Sequence, residues 1–334
     1  MTNQEEKIRP NLSTKKFQKL LQEEIKSFFF YKNTDQIQTD IFTEINCPAC
    51  YSNNSKLFLN KMGFKLKRCI DCGLVFLNPR PTEAAQIKFF SQSKALDLYS
   101  ELVETTKVER VELIFTPLAN KIFNEFGKEG GNLLEVGCGP GLLLEALKMQ
   151  NTSWQLKGVE PSERAVKICN DKGLDVFHGG LEELNDDQRY DLVVFWAVFD
   201  HFFDPFSIIE KCYSLLKPGG SIVIGNINLD GFDSVITGVD NVAFTPPERM
   251  NFFGIKSMTM MLERGAFIDV EVDTTGRLDV DIVKNYWESG NKNGRNKFLE
   301  KIVFGGDSVK SSFQSFLMEN NLSSHMTVSA KKPK

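Results

Sequence analysis

One stretch, residues 132–141 with the sequence NLLEVGCGPG, constrains the fold of this chain more than any other. A short apolar strand runs directly into a glycine turn, and a leucine-rich segment typical of a buried helix start follows. Strand, glycine turn and helix form the first unit of a doubly wound nucleotide-binding fold, where glycines let the backbone turn sharply against a ligand. The spacing is G-x-G-x-G, and Leu142 stands where a dinucleotide fingerprint has its third glycine, which argues against NAD.

Residues 135–141, EVGCGPG, resemble motif I of class I S-adenosylmethionine (SAM) dependent methyltransferases, E/D-x-G-x-G-x-G. The resemblance implies an α/β, Rossmann-like, seven-stranded mixed sheet with the strand order 3-2-1-4-5-7-6. It also implies SAM as the cofactor. The alternative is a structural glycine turn in some other α/β protein. The motif residues that the resemblance assigns to the cofactor are Glu135, Gly137, Cys138, Gly139 and Gly141.

Glu160 is the candidate for holding the ribose of the cofactor. It ends a predicted strand, residues 154–159, and follows Gly141 by 19 residues (160 − 141), about the spacing at which an acidic residue meets ribose hydroxyls in nucleotide-binding units. A carboxylate accepts two hydrogen bonds from a diol. The alternative is a surface glutamate at a strand end. The resemblance implies four further cofactor contacts, with the adenine read by backbone near residue 181, and these are Pro161, Gly180, Leu181 and Ala197.

Composition narrows the class of protein. The chain has 334 residues, of which 41% are apolar, enough for a sizeable core. Its net charge of -4 and pI near 5.6 do not attract nucleic acid or anionic lipid. No apolar run is long enough to cross a membrane, and the first ten residues lack the apolar region of a secretory signal. We therefore expect a cytoplasmic protein with no membrane or nucleic-acid partner, either a monomer or a homodimer.

Four of the seven cysteines form two C-x-x-C pairs separated by 18 residues, Cys47 with Cys50 and Cys69 with Cys72. This spacing is typical of a zinc ribbon. Four thiolates complete a tetrahedral Zn(II) shell and leave no position for water, so the metal is expected to be structural. A redox pair and a site without metal are the alternatives. The segment between the pairs predicts a two-stranded hairpin that depends on its metal to fold.

The segment that follows, residues 73–82, also resembles a bacterial subset of these methyltransferases, in which a C-x-x-C ribbon runs into GLVFLNPRPT. Arg80 lies between two prolines, and either points at the substrate pocket or docks the ribbon through a salt bridge. Residues 275–283 and 322–326 resemble two further segments of that subset, TPGxLDVDIV and LSSHM. The predicted domains are a helical segment (1–44), the ribbon (45–82), a helical linker or cap (83–128), the SAM-binding domain (129–274 and 323–334) and a helical insert (275–322).

Periodicity places the remaining elements. Apolar residues at helical spacing predict a helix over residues 13–28 that packs on the protein body or on a second subunit, in preference to a membrane surface. Residues 104–126 also have helical spacing, and Pro117 should kink or split that helix. Apolar runs predict further strands at residues 174–177, 191–196, 221–225, 266–272 and 326–330.

Two histidines and a neighbouring carboxylate are candidate catalytic residues. Asp200 and His201 follow the fourth predicted strand, at the ligand edge of a parallel sheet. His325 precedes the last strand, which runs antiparallel in the methyltransferase topology and so starts at that same edge, beside Asn226. A hydroxyl or carbon-acid acceptor needs a base, which one of these histidines provides; Asp200 orients His201 or raises its basicity. For each histidine the alternative is a structural role.

The loop of residues 245–253 resembles the Y-x-E-H region of deoxysugar C-methyltransferases, which also carry an N-terminal cysteine zinc module. Pro246 stands in place of the tyrosine and Arg249 in place of the histidine, so only Glu248 of the chemical set remains, as a candidate catalytic residue. The departure argues against sugar C-methylation and leaves O-methylation or a different base. Arg249 is a candidate for holding a phosphate or carboxylate of the substrate.

Together these features predict a SAM-dependent methyltransferase that transfers a methyl group to oxygen or carbon of a small-molecule or saccharide acceptor. Two alternatives remain. A zinc ribbon can hold RNA, although the segment after the fourth strand, FWAVFDH, lacks the N/D-P-P-Y/F that grips a flipped base. The other alternative is a non-catalytic SAM-binding scaffold whose zinc module recruits a partner protein.

Overall fold

The computed structural model of the protein describes residues 7–8, 11–126, 130–150, 153–185 and 187–334. The expected domain boundary at residues 128 and 129 lies outside this set. The strands, in chain order, are β1 (Phe42–Thr43), β2 (Ser55–Lys61), β3 (Phe64–Cys69), β4 (Val75–Leu77), β5 (Arg80–Pro81), β6 (Gly131–Val136), β7 (Trp154–Glu160), β8 (Val176–His178), β9 (Tyr190–Trp196), β10 (Leu216–Ile227), β11 (Asn251–Phe252), β12 (Ile268–Thr274) and β13 (His325–Lys331). The α-helices span Asn11–Phe29, Glu83–Gln92, Lys94–Thr105, Lys107–Arg110, Thr116–Phe126, Leu142–Met149, Glu163–Asp171, Pro205–Leu215, Phe232–Thr237, Ile255–Arg264, Asp279–Glu288, Lys297–Val303 and Asp307–Glu319.

Within the described residues a seven-stranded mixed sheet forms the centre of the fold, in the order β12-β13-β10-β9-β6-β7-β8. The neighbours from β10 to β8 pair in parallel, whereas β13 is antiparallel to both β10 and β12. Numbered along the chain, this is 3-2-1-4-5-7-6. The predicted fold class is therefore confirmed.

Two apolar clusters cover the two faces of this sheet, because successive residues of a strand point to opposite sides. Leu134 packs with Phe195 and with the helix Pro205–Leu215 on one face. Leu133 packs with Leu143 and with the helix Thr116–Phe126 on the other. The sheet is thus buried on both sides, and its ligand edge is left to the loops at the ends of its strands.

Strand boundaries differ from the predicted ones by a few residues. Strand β8 spans Val176–His178, whereas the sequence predicted residues 174–177. Strand β12 spans Ile268–Thr274, whereas the sequence predicted residues 266–272. Strand β10 begins at Leu216, ahead of the glycine pair, and its register shifts between Leu216 and Ser221. His325 is the first residue of β13 and pairs with Ile227.

The N-terminal helix packs on the ribbon. The predicted helical spacing is confirmed, since Leu21 and Ile25 are buried in one cluster with Phe64 and Leu66 of β3. The other residues of the predicted stripe pack against this cluster, and they are Phe17, Leu20 and Phe28. The ribbon hairpin of β2 and β3 is also present. It extends to a four-stranded sheet in the order β11-β4-β3-β2, so the segment after β10 adds a strand to the ribbon. No described helix is both long and apolar enough to cross a membrane.

The helical run from Lys107 to Phe126 stays continuous at Pro117, where the sequence predicted a kink or a split. A π-helical turn, Val111–Phe115, precedes the proline, and the Thr116 N–H donates to Val111 O. Proline lacks an N–H and removes one bond of the α ladder, which the wider π register accommodates. The run therefore lies along the cavity described next, with Leu113 and Phe115 in its wall.

Candidate active site

A cavity of about 2500 Å³ opens at the carboxyl edge of the large sheet. Its walls come from the glycine turn after β6, the ends of β7 and β9, the helical run of residues 83–118, and the loops near residues 245 and 277. A site for one small ligand is usually about 300–1,000 Å³. The cavity is therefore large enough to hold two small molecules side by side.

The glycine turn presents open backbone to this cavity. Gly137 and Gly139 have φ values of +70° and +52°, in the left-handed region that favours glycine. A Cβ added at Gly137 would lie 2.6 Å from a methyl of Val198, so only glycine fits. A Cβ at Gly139 would meet no described atom within 4 Å. The turn is therefore packed against Val198 at Gly137, whereas the space beside Gly139 is open and a ligand can lie there against the backbone.

Glu160 is joined directly to this turn. Its Oε2 accepts the Gly139 N–H at 2.9 Å, and its Oε1 accepts the Ser162 N–H at 2.9 Å. Burial raises the pKa of the Glu160 carboxyl above its ordinary value, against the effect of these two hydrogen bonds. Each carboxylate oxygen keeps a second acceptor position, and Glu160 lines the cavity. The arrangement suits a ligand diol.

Glu135 places a second carboxyl beneath the turn. It is 3% exposed, and its Oε2 has no hydrogen-bond partner among the described residues. Burial raises the pKa of this carboxyl well above its ordinary value, and neighbouring Glu160 adds to the shift. A buried carboxyl oxygen without a partner is costly unless a ligand satisfies it. Since Glu135 lines the cavity, it suits a cationic or hydrogen-bond-donating group.

The structure brings the other predicted cofactor residues to the same wall, with one exception. Ala197, at the end of β9, has φ +56° and donates its N–H to Gly225 O at 2.8 Å. Such a conformation is uncommon for a residue other than glycine and is often found at functional sites. Gly141 is the exception, because its added Cβ would clash with Leu174 and Cys169, so its role is packing. The remaining residues at the wall are Cys138, Pro161, Gly180 and Leu181.

Asp200 lies beside two side chains, the expected His201 and, in addition, Arg249. It is 1% exposed, and its Oδ2 makes a short ion pair with Arg249 Nη1. His201 Nε2 lies 3.5 Å from the other oxygen, Asp200 Oδ1. Burial lowers the pKa of His201, whereas Asp200 and Glu248 partly offset the shift. Asp200 therefore lies behind the wall and anchors Arg249, while His201, Glu248 and Arg249 face the cavity.

His325 reaches the cavity from the opposite side. Its ring packs on the indole of Trp196, with the centroids 4.8 Å apart. A Cβ at Gly225 would lie 2.1 Å from that indole, so glycine at this position gives the indole its space. Asn226 was expected beside these groups, but its amide is buried, does not line the cavity, and has no hydrogen-bond partner in the described part of the chain. Asn226 nevertheless pairs with Met326 near the end of β10, so its position beside the start of β13 is as expected.

A family model described as a methyltransferase domain matches residues 109–271, which include the glycine turn, Glu160 and β6 to β10. The chain carries a class I SAM-dependent methyltransferase domain. The resemblance of residues 135–141 to motif I of class I SAM-dependent methyltransferases is thus confirmed. The expectation that this domain is that of an enzyme is confirmed as well.

Curated relatives match the methyltransferase domain over part of their length. The ubiquinone biosynthesis O-methyltransferase of Leptothrix cholodnii is 32% identical over 119 residues, 33% of this chain and 50% of the relative. The enzyme of the same name from Idiomarina loihiensis is 31% identical over 159 residues, 45% of this chain and 62% of the relative. The chain spans about half the length of the curated relatives it matches.

Solved structures share the fold of the domain. The complex between the Haloferax volcanii Trm112 methyltransferase activator and a candidate methyltransferase contains a chain that matches with a TM-score of 0.51 and 16% identity, covering 71% of this chain and 97% of that one. The plantazolicin methyltransferase BpumL, in complex with a triazolic analogue and S-adenosylhomocysteine (SAH), matches with a TM-score of 0.50 and 16% identity, covering 75% and 95%. At these identities the likeness concerns the fold alone.

The four cysteines ahead of the methyltransferase domain form one cluster. Their sulfur atoms all lie within 4.8 Å of one another, with Cys47 to Cys72 and Cys50 to Cys69 each at 3.5 Å. A tetrahedral Zn–S shell with bonds of about 2.3 Å has sulfur–sulfur edges of about 3.8 Å. The residue after each pair, Tyr51 and Gly73, has a positive φ that closes the turn. The donor set and its spacing therefore fit a tetrahedral metal.

Among the described residues Arg80 neither lines the cavity nor pairs with a carboxylate, so it docks the ribbon as one alternative expected, but without the expected salt bridge. It is fully buried and donates to Phe203 O at 2.6 Å and to Asn251 Oδ1 at 3.0 Å. Burial lowers the pKa of this guanidinium to about 9. Arg80 thus fastens the ribbon to β11 and to the segment after His201, through carbonyl oxygens.

Sequence reasoning did not single out two residues that line the cavity, Trp196 and Thr245. Trp196 was taken only as part of a strand, yet its indole supports His325. Thr245 lines the cavity with a buried Oγ1 that has no hydrogen-bond partner among the residues described. The one sequence signal for Thr245 is its position directly before the proline pair 246–247, which restricts the backbone of the loop.

Proposed function

We propose that this chain is a SAM-dependent methyltransferase that transfers a methyl group to a small polar acceptor, such as a saccharide intermediate, with oxygen the favoured atom. One observation carries the proposal. The open backbone at Gly139, tied to the Glu160 carboxylate, shares a single cavity with His201, Arg249 and His325. Donor and acceptor can then lie side by side, as an in-line displacement requires.

We assign the donor half of the cavity to SAM. Bound SAM supplies an electrophilic methyl group on a sulfonium. Glu160 would accept the ribose hydroxyls, Glu135 would face the cationic part of the ligand, and the backbone near Leu181 would lie beside the adenine. The partnerless oxygen of Glu135 and the open space at Gly139 support this fit.

Several polar side chains line the half of the cavity that we assign to the acceptor. Tyr286 donates its hydroxyl to Asp240 Oδ2 at 2.7 Å, and Asn285, Thr245 and Arg249 also face this space. Polar donors and acceptors of this kind suit an acceptor rich in hydroxyls. The names of the curated relatives support oxygen as the methylated atom. One of the two cavity histidines, His201 or His325, would take the proton from the acceptor hydroxyl.

We assign Zn(II) to Cys47, Cys50, Cys69 and Cys72 in a structural role. Four protein thiolates saturate a tetrahedral ion, and the cluster lies in the ribbon, outside the cavity lining. The metal would hold the hairpin that carries β4, onto which β11 pairs.

Calorimetry with SAH tests the proposal. The wild-type chain should bind SAH with a Kd in the micromolar range, about -8 kcal/mol, and the double variant G139R/E160A should not bind. The matched control D175N changes an exposed aspartate before β8 and should keep the wild-type affinity. Unchanged binding by the double variant would refute the site. Release of SAH from SAM in the presence of fractionated metabolites would then separate an enzyme from a SAM-binding scaffold.

A second candidate function is that of an RNA methyltransferase, which the positive charge of the ribbon favours. Residues 45–82 contain six Lys or Arg and one Asp, in a chain whose net charge is -4, and Lys56 and Lys65 are exposed. Phosphate binding through such residues weakens steeply with salt. Binding of single-stranded RNA at low salt that vanishes at high salt would favour this candidate over a small-molecule acceptor.

A further inference from the structure

Two segments that the sequence singled out, residues 275–283 and 322–326, meet at one buried aspartate. Asp279, in the first turn of the helix Asp279–Glu288, is 2% exposed. Its Oδ1 accepts the Ser324 N–H at 2.6 Å. Its Oδ2 accepts the Ser323 hydroxyl at 2.8 Å and the Gln314 amide at 2.7 Å. The carboxylate thus fixes the two residues that immediately precede His325.

The same junction fixes the backbone of His325 from a second direction. Thr275 donates its N–H to His325 O at 2.9 Å, and its hydroxyl lies 3.2 Å from that of Thr327. A Cβ added at Gly276 would lie 2.2 Å from Ser323 Oγ and 3.2 Å from His325 Cβ. Gly276 is therefore packed against both Ser323 and His325, and this position has no room for a side chain.

The junction also ties His325 to the end of β10. Ser324 Oγ accepts the N–H groups of Asp233 and Ser234 at 2.9 and 3.4 Å, and Asn228 donates its amide to Ser323 O at 3.0 Å. Every contact of Asp279 named above comes from a neutral donor, so the aspartate serves to hold backbone and side-chain donors in place. Hydrogen bonds to a charged acceptor are about twice as strong as neutral ones.

We propose that Asp279 is a positioning residue for His325, and that His325 is the proton acceptor of the site. The Asp279 carboxylate holds Ser323 and Ser324, this fixes the start of β13, and the imidazole is thereby kept on Trp196 and toward the acceptor half of the cavity. The assignment of His325 as base deepens the proposed methyl transfer and rests on it. The positioning by Asp279 is a structural relationship that can be tested without activity.

The test uses NMR of the full zinc-loaded chain labelled at histidine, which has only three histidines to assign. In D279N an NH₂ group replaces one carboxylate oxygen. This new donor would face the groups that donate to Asp279 in the wild-type chain, which belong to Gln314, Ser323 and Ser324. We expect the pKa of His325 to change by about half a unit or more, while His178 and His201 keep their pKa values. The matched control D281N removes a carboxylate from the same helix turn and should leave all three unchanged. SAH affinity should stay within about twofold in both variants.

An unchanged His325 titration in folded D279N would overturn the proposal, as would equal shifts of all three histidines, which indicate a general loss of structure. If D279N does not fold, S323A removes one donor to the same carboxylate and should shift His325 in a smaller but selective way; no selective shift again overturns it. The outcome is independent of methyl transfer. Failure of the proposed function would appear instead as absent SAH binding by the wild-type chain.

Discussion

Glu160 accepts the backbone N–H of Gly139 at 2.9 Å, so the carboxylate proposed to hold a ribose also holds the turn on which the cofactor would lie. One residue thus joins β7 to the glycine turn after β6. The two strands pair in parallel, and their ends are adjacent. Loss of this carboxylate should therefore affect both the ligand and the shape of its site.

E160Q is the first variant that this relationship suggests. The amide keeps one acceptor oxygen and replaces the other with a donor facing an N–H. Hydrogen bonds to charged groups contribute about 1.5–3 kcal/mol each, so we expect the Kd for SAH to rise by about 10- to 100-fold. Calorimetry measures it, with D175N as the control. A Kd within a factor of two of wild type would mean that Glu160 does not contact the ligand.

Glu135 should make cofactor binding depend on protons. Its folded pKa is raised well above the ordinary value by burial, so the neutral carboxyl of the free protein persists to higher pH than that of an exposed glutamate. A cation bound beside it lowers this pKa, and binding of SAM should then release protons. Affinity should rise with pH from the ordinary carboxyl range up through the raised pKa, and level off above it.

Calorimetry of SAM binding in buffers of different ionisation enthalpy counts the released protons. E135Q should abolish the release, because the amide does not titrate in this range. If the wild-type chain takes up protons, or if E135Q releases as many as wild type, the assignment of Glu135 to the cationic part of the ligand is wrong.

Arg249 and Asp200 should depend on each other for stability. Asp200 is buried, and removing one member of a buried ion pair leaves an uncompensated charge that costs about 3–5 kcal/mol. We expect R249M to lower the free energy of unfolding by about 3 kcal/mol. The double variant D200N/R249M should be more stable than R249M alone, because no charge remains buried. Urea unfolding measures both, and additive losses would show that the two side chains are not coupled.

The sheet and the glycine turn could be predicted from sequence because they depend on local patterns. An unbroken apolar run such as that of β9 favours a central parallel strand. Gly137 is required because a side chain there would clash with Val198, and the G-x-G-x-G motif marks that position. The cysteine spacing likewise fixes two turns that can share one metal. The strand and the glycine turn are each marked within about ten consecutive residues, and the cysteine signal spans residues 47–72.

Long-range pairings carried no such signal. Asp200 lies 3.5 Å from its neighbour His201, as expected, but nothing in the sequence indicated that its other oxygen pairs with Arg249, 49 residues further on. Arg80 donates to the carbonyl of Phe203, 123 residues away. Strand β11 has only two residues, too short for periodicity to mark it, yet it joins the ribbon to the loop of the acceptor half. Pairings of this kind depend on how the layers pack and are visible only in three dimensions.

Removal of the metal should loosen the ribbon and strand β11, which lies next to the proposed acceptor half of the cavity, before it affects the proposed SAM site. We expect one zinc per chain by elemental analysis, absent in C72S and retained in C212A, whose buried thiol is not one of the four that form the cysteine cluster. Without the metal the hairpin loses its anchor, and β4 no longer holds β11. Hydrogen exchange should then rise in residues 64–77 and 250–253, while the Kd for SAH changes little. Equal protection of both segments in metal-free protein would contradict the structural role.

The last prediction concerns stability at mildly acidic pH. Burial lowers the folded pKa of His201 below its ordinary value of 6.5, so the unfolded chain binds a proton more readily than the folded one. The stability that this histidine contributes is complete above about pH 6.5 and is lost as the pH falls through 6.5 toward the folded pKa, since stability rises with pH wherever the unfolded state binds more protons. In H201N this part of the pH dependence should disappear. Thermal unfolding between about pH 5 and 8 measures the slope for wild type, H201N and the control H178N, whose side chain is exposed. A slope in H201N equal to that of wild type would mean that another group produces it, and a slope of opposite sign in the wild-type chain would mean that His201 is stabilised in its charged form by Asp200.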